Sequence, residues 1–101
     1  MTLFIAATTL SPDAVNSPDQ YAQLEKDVAE KIKRECRHVE WKANYALMGP
    51  YDYLDVFEAP DVEEAMKAAA ILRSRGHARV EVWPAKDWQR FKELMHEIEA
   101  A

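Results

Sequence analysis

Two runs of strand-forming residues, His38–Met48 and Tyr51–Ala59, are separated only by Gly49-Pro50, and no other feature restricts the fold as strongly. So short a link joins its flanking strands only as an antiparallel hairpin. In the first run Val39, Trp41, Ala43, Tyr45 and Leu47 alternate with His38, Glu40, Lys42 and Asn44, the period of a strand with two different faces. On either side of the hairpin the period lengthens. Ser17-Pro18 with Gln20 fits an N-cap, an N1 proline and a capping box, and Tyr21, Leu24, Val28 and Ile32 then step by three and four along a helix. After the hairpin, Pro60-Asp61 with Glu64 starts a second helix through Val62, Ala65, Met66, Ala69 and Leu72, which the basic turn Arg73-Ser74-Arg75 and Gly76 are expected to end. Two further strands, Thr2–Thr8 and His77–Trp83, complete the set, with Pro84 expected to close the last.

The order β-α-β-β-α-β predicts an α+β, ferredoxin-like fold, an antiparallel sheet of order 4-1-3-2 with both helices on one face. Residues 1–84 form this domain. From Ala85 onward Trp88, Phe91, Met95 and Ile98 recur at helical spacing, so residues 85–101 are expected to form an amphipathic helix that packs on the domain or on a partner. The uncovered sheet face, expected to carry Phe4, Tyr53, Phe57 and Trp83, is more apolar surface than a soluble monomer tolerates. A homodimer is therefore expected, with higher oligomers left open.

Composition narrows the partners. The chain has 101 residues, 49% hydrophobic and 31% charged, and a net charge of −5 with both signs interspersed, which offers no basic stripe for nucleic acid or anionic lipid. Cys36 is the single cysteine, so neither an intrachain disulfide nor a thiolate-rich metal site can form, and a reducing, cytoplasmic location fits. No run reaches the ~20 apolar residues of a membrane helix, and "MTLFIAATTL" lacks the basic start of a signal peptide. Self-association and a small organic ligand remain, with no cofactor or metal implied. His38 and His77 are expected to start strands at opposite edges and ends of the sheet, too far apart within one subunit to share an ion, and His96 falls on the tail helix off its apolar stripe.

Three stretches, "SPDAVNSP" after the first strand, the "MGPYD" hairpin and "VFEAPDVEEAMKAA", resemble the GYD-domain family. The resemblance spans about Leu3 to Trp83, with the motif appearing as Gly49, Pro50, Tyr51 and Asp52. It implies a small dimeric α/β-barrel of ferredoxin-like subunits, a group that includes cofactor-free monooxygenases and small-molecule-binding modules. It transfers no catalytic residues.

Candidate site residues fall in two groups. Tyr51 and Asp52 follow the turn, where an aspartate commonly accepts backbone N–H bonds, and the topology brings them near Thr8, Thr9 and His77 as a polar rim. The second group depends on hairpin register. If paired positions sum to an odd number, the open face is expected to receive Lys42, Asn44, Tyr53, Asp55 and Phe57, because this keeps Lys42 and Asn44 off the helices. Strand four would add His77, Arg79, Glu81 and Trp83, and a bulge would instead bring Trp41 and Tyr45 to that cavity. Such a face reads either as an aromatic-lined ligand site or as ion pairs in a dimer interface. The expected function is a homodimeric small-molecule-binding or assembly module with its ligand on the open sheet face. The alternative is a cofactor-independent enzyme of monooxygenase or isomerase type, with His77 or Asp55 as base and Arg79 stabilising negative charge. Cys36, near Arg34, Arg37 and His38, reads as a packed thiol or as one of lowered pKa.

Overall fold

A computed structural model of the chain describes residues 1–11, 17–74 and 78–100. Its elements are β1 (Thr2–Leu10), α1 (Pro18–Glu35), β2 (Glu40–Ala46), β3 (Tyr53–Ala59), α2 (Val62–Ser74), β4 (Ala78–Ala85) and α3 (Trp88–Ala100). The antiparallel sheet runs β2-β3-β1-β4, the expected arrangement read from the other edge. Local chemistry accounts for the helix starts. Ser17 is the extended N-cap of α1 with Pro18 in the first turn, although its hydroxyl makes no capping bond. At α2 the Asp61 carboxylate does accept the Glu64 N–H, at 2.9 Å. Gly76, expected to end α2, lies outside the described residues.

The core sits between the helices and one face of the sheet. Phe4, Ala6, Phe57, Ala59 and Val80 meet Ile32, Cys36, Ala65 and Ala68, all buried. The Phe4 and Phe57 rings stack at 5.5 Å, and Trp41 tilts onto Phe57 at 5.3 Å. This corrects the expected faces: Phe4 and Phe57 lie beneath the helices, not on the open side. Because Phe4 pairs with Phe57, Ala6 with Asp55 and Thr8 with Tyr53, those partners all share the covered face. The open face instead carries Ile5, Leu54, Val56, Arg79, Glu81 and Trp83.

The hairpin pairing has the expected odd sum, Asn44 with Asp55 and Tyr45 with Leu54, but its faces are exchanged. A register shift between Trp41 and Ala43 leaves Lys42 in a bulge, exposed and 3.8 Å from Glu40. The bulge removes the charge that was expected to keep this face off the helices. It carries Trp41 inward, and Tyr45 lies opposite Leu54 on the open-face set. Pro84 does not close β4 either, since the strand continues through it to Ala85. β4 pairs only with β1, and at a sheet edge a missing N–H need not interrupt a ladder.

Candidate functional site

Burial along the inward stripe of α1 is uneven. Ile32 and the C-cap residue Cys36 are each 1% exposed, Val28 and Leu24 are half-buried, and Tyr21 is 48% exposed. The helix is pinned to the sheet at its C-terminal end and stands away from it at its N-terminal end. Small residues widen the gap, with Ala22 and Ala29 on the helix and Ala46 on β2. The result is a cavity of about 500 Å³, walled by Tyr21, Trp41 and Tyr53, with Thr8, Glu25 and Asp55 supplying polar groups. That size and makeup are those of a small-molecule pocket. It lies on the helix-covered side of the sheet, whereas the sequence reading located a cavity on the open side.

The polar groups of this cavity are incompletely matched. Asp55 is half-buried, and its Oδ1 accepts a bond of 2.7 Å from Asn44 Nδ2. Loss of water pushes the Asp55 carboxyl above its ordinary value, the Asn44 bond opposes that, and the charge on Glu25 adds to it. Burial likewise raises the Tyr53 phenol, helped by neighbouring Tyr21 and Asp52. The Tyr21 and Tyr53 rings meet edge to face at 6.5 Å across the mouth. Thr8 is only 5% exposed, and its hydroxyl has no hydrogen-bond partner. A buried hydroxyl without a partner is uncommon, because desolvation then goes uncompensated.

The remaining predicted residues are distributed around the sheet. Asp52 anchors the hairpin: its Oδ2 accepts the Leu10 N–H at 2.7 Å, its own N–H donates to the Thr8 carbonyl at 2.8 Å, and its carbonyl accepts the Leu47 N–H at 2.9 Å. Tyr51 turns to the open face, where its hydroxyl donates to Glu81 Oε2 at 2.9 Å and its ring meets Trp83 edge to face at 6.1 Å. That bond to Glu81, more than burial, raises the Tyr51 phenol. Arg79 is exposed on this same face, opposite Thr9. Asp55 and Arg79 are therefore on opposite sides of the sheet, and His77 lies outside the described residues. Tyr53, Asp55 and Phe57 are on the helix side, with Phe57 wholly within the core. The Cys36 thiol is pushed up, by burial first and then by Glu64, which removes the lowered-pKa reading. Tyr21 and Glu25 were absent from the sequence candidates, and Thr8 was expected only in the polar rim beside Tyr51 and Asp52. No period or motif in the sequence marked Tyr21 and Glu25 as lining a cavity.

The GYD domain family matches residues 4–95, nearly the whole chain. The chain belongs to the GYD-domain family. The match continues into α3, beyond the Trp83 limit drawn from sequence motifs. A similar protein is the "Glutamine synthetase and cystathionine beta-lyase binding protein" of Thermus thermophilus, 33% identical over 79 residues, covering 78% of this chain and 82% of that protein. Among solved structures, the leucine response regulatory protein LrpA of Mycobacterium tuberculosis superimposes with a TM-score of 0.56 at 13% identity. That match covers 85% of this chain and 51% of LrpA, so this GYD-domain chain spans about half of that longer protein, and the likeness is one of fold. Muconolactone isomerase superimposes with a TM-score of 0.55 at 26% identity, covering 84% of this chain and 88% of that one.

Proposed function

We propose that this chain is a self-associating binding module in which two copies meet through their open sheet faces and each holds a small organic molecule between α1 and the sheet. The observation that carries the ligand half is the cavity of about 500 Å³, with an aromatic wall, a Thr8 hydroxyl that has no hydrogen-bond partner and an Asp55 carboxylate bonded by Asn44 but by no cation among the described residues. The self-association half is supported by two unpartnered apolar surfaces, the open sheet face and the stripe of α3. Thermal-shift screening of the purified chain against a metabolite library, with solution mass measured in parallel, tests both halves. Hits are expected to stabilise the wild type and to be lost in Ala29→Phe, which fills the cavity from α1. Hits that stabilise Ala29→Phe equally would move the ligand site elsewhere, and a single-chain mass at micromolar concentration would remove the dimer.

A second reading is favoured by the Thermus relative, whose name describes binding to two metabolic enzymes. In that reading the small molecule gates attachment of the module to a larger enzyme. The likeness to muconolactone isomerase supports an enzymatic reading only as far as the scaffold. Its proposed base and cation, Asp55 and Arg79, are separated within one chain by the thickness of the sheet.

A further inference from the structure

The described walls of the α1–sheet cavity contain two ionisable acids, Glu25 and Asp55, and no lysine, arginine or histidine. Among the described residues no cation pairs with either carboxylate. The acids alone would be a weak indication. The second, independent sign is Thr8, 5% exposed on the central strand and lining the same cavity, whose hydroxyl has no hydrogen-bond partner among the described residues. An occupant that offered a hydrogen-bond donor and a positive charge would answer both deficits at once. The rings of Tyr21, Tyr53 and Trp41 are suited to the rest of such an occupant, since aromatic faces attract organic cations and also bury apolar carbon.

Building on the cavity reading above, we propose that this site selects a small organic ammonium compound, its charged nitrogen directed to Asp55 and the Thr8 hydroxyl, its apolar body between Tyr21, Tyr53 and Trp41. Specificity then follows from charge. An anionic ligand of equal shape would face the half-buried Asp55 carboxylate and the Glu25 carboxylate at the rim, and a neutral one would leave Asp55 without a counter-charge.

The groups facing Asp55 are Glu25 and Tyr21 from α1, Asn44 from β2, Tyr53 from β3 and Thr8 from β1. None of them supplies positive charge, so an ammonium ligand should bind more tightly as Asp55 ionises. Its affinity should rise with pH as Asp55 loses its proton and level off once the carboxylate is fully ionised.

Three probes of similar size separate the contributions: 2-phenylethylammonium, 2-phenylethanol and 3-phenylpropionate, titrated by calorimetry and by the NMR shifts of cavity residues. The expected result is that the ammonium binds at least about tenfold more tightly than the alcohol, with the carboxylate weakest. Asp55→Asn should bring the ammonium down to about the level of the alcohol, abolishing the preference between them. Should Asp55→Asn not fold, Glu25→Gln, altering an exposed helix position, should reduce the same preference by a smaller factor. Alcohol binding equal to or tighter than ammonium binding, or a preference for the carboxylate, would overturn the charge selection and leave the cavity reading intact. If none of the three perturbs cavity residues at millimolar concentration, the cavity reading fails and the ammonium inference fails with it.

Discussion

A carboxylate held half out of water, with one amide for a partner and a second acid nearby, makes its own chain less stable in the charged form. Asp55 is in that position, and its pKa direction gives the sign of the consequence. A raised native pKa means that the unfolded chain ionises first as pH rises. The stability associated with the protonated group is fully present below the ordinary aspartate range, and it is lost as pH climbs through the raised value. Asp55→Asn removes the ionisation and keeps a group that can bond Asn44. The variant should match the wild type in urea melts near the acid end and exceed it at neutral pH, by about 1 kcal/mol, the low end of the desolvation cost of a half-buried polar group. A gap that shrinks as pH rises would mean that the native protein stabilises the charge. A residue that weakens the fold at working pH is the kind expected where a ligand supplies the missing partner.

Among the elements, the hairpin shows most clearly what the sequence made legible. The Gly49-Pro50 turn, the two strands and their odd-sum register follow from period and turn chemistry, and so does the sheet order. The choice of face does not. Both sets on β3, Tyr53/Asp55/Phe57 and Leu54/Val56/Glu58, combine large apolar side chains with one acid, so the pattern has no preferred inside. What decides is a bulge that expels Lys42, together with a cavity that accommodates Asn44 and Asp55, and neither leaves a signature in a period-two pattern. The cavity was illegible for a related reason, because a stripe such as Tyr21, Leu24, Val28 and Ile32 looks the same whether its helix lies flat or stands away at one end. Asp52 was legible in kind, as a turn aspartate that accepts a backbone bond, though its partner is on β1 and 42 residues away in sequence. Since this bond ties the hairpin to the centre of the sheet, Asp52→Ala should lower unfolding stability by about 1–3 kcal/mol. It should also speed amide exchange at Leu10 and Leu47. Unchanged exchange at Leu10 would show that the bond contributes nothing to holding β1.

For the molecule as a whole, shape is the informative quantity. The radius of gyration is 15.6 Å and the principal extents are 55 × 30 × 17 Å. A compact chain of this length has a radius near ~13 Å. The excess is accounted for by α3, which makes only marginal contact with any other element of its own chain. Its first turn is capped by the Asp87 carboxylate, which accepts the Gln89 N–H at 3.0 Å, and Trp88 stacks on Phe91 at 5.2 Å. Yet Trp88 is 68% and Ile98 67% exposed. An apolar stripe projecting from a body whose sheet has one bare face is a poor design for a lone chain, and the proposed second copy would cover both surfaces by symmetry. Removal of residues 86–101 should therefore weaken association much more than it lowers the melting of the remaining domain. Val56→Asp, a charge set into the middle of the open face, should weaken association by at least about 100-fold, the effect of burying an unpaired carboxylate at an interface core. Sedimentation velocity across a concentration series reads both outcomes. If Val56→Asp associates as the wild type does while the truncated chain is monomeric, α3 alone makes the interface, and the open face is left for a different partner.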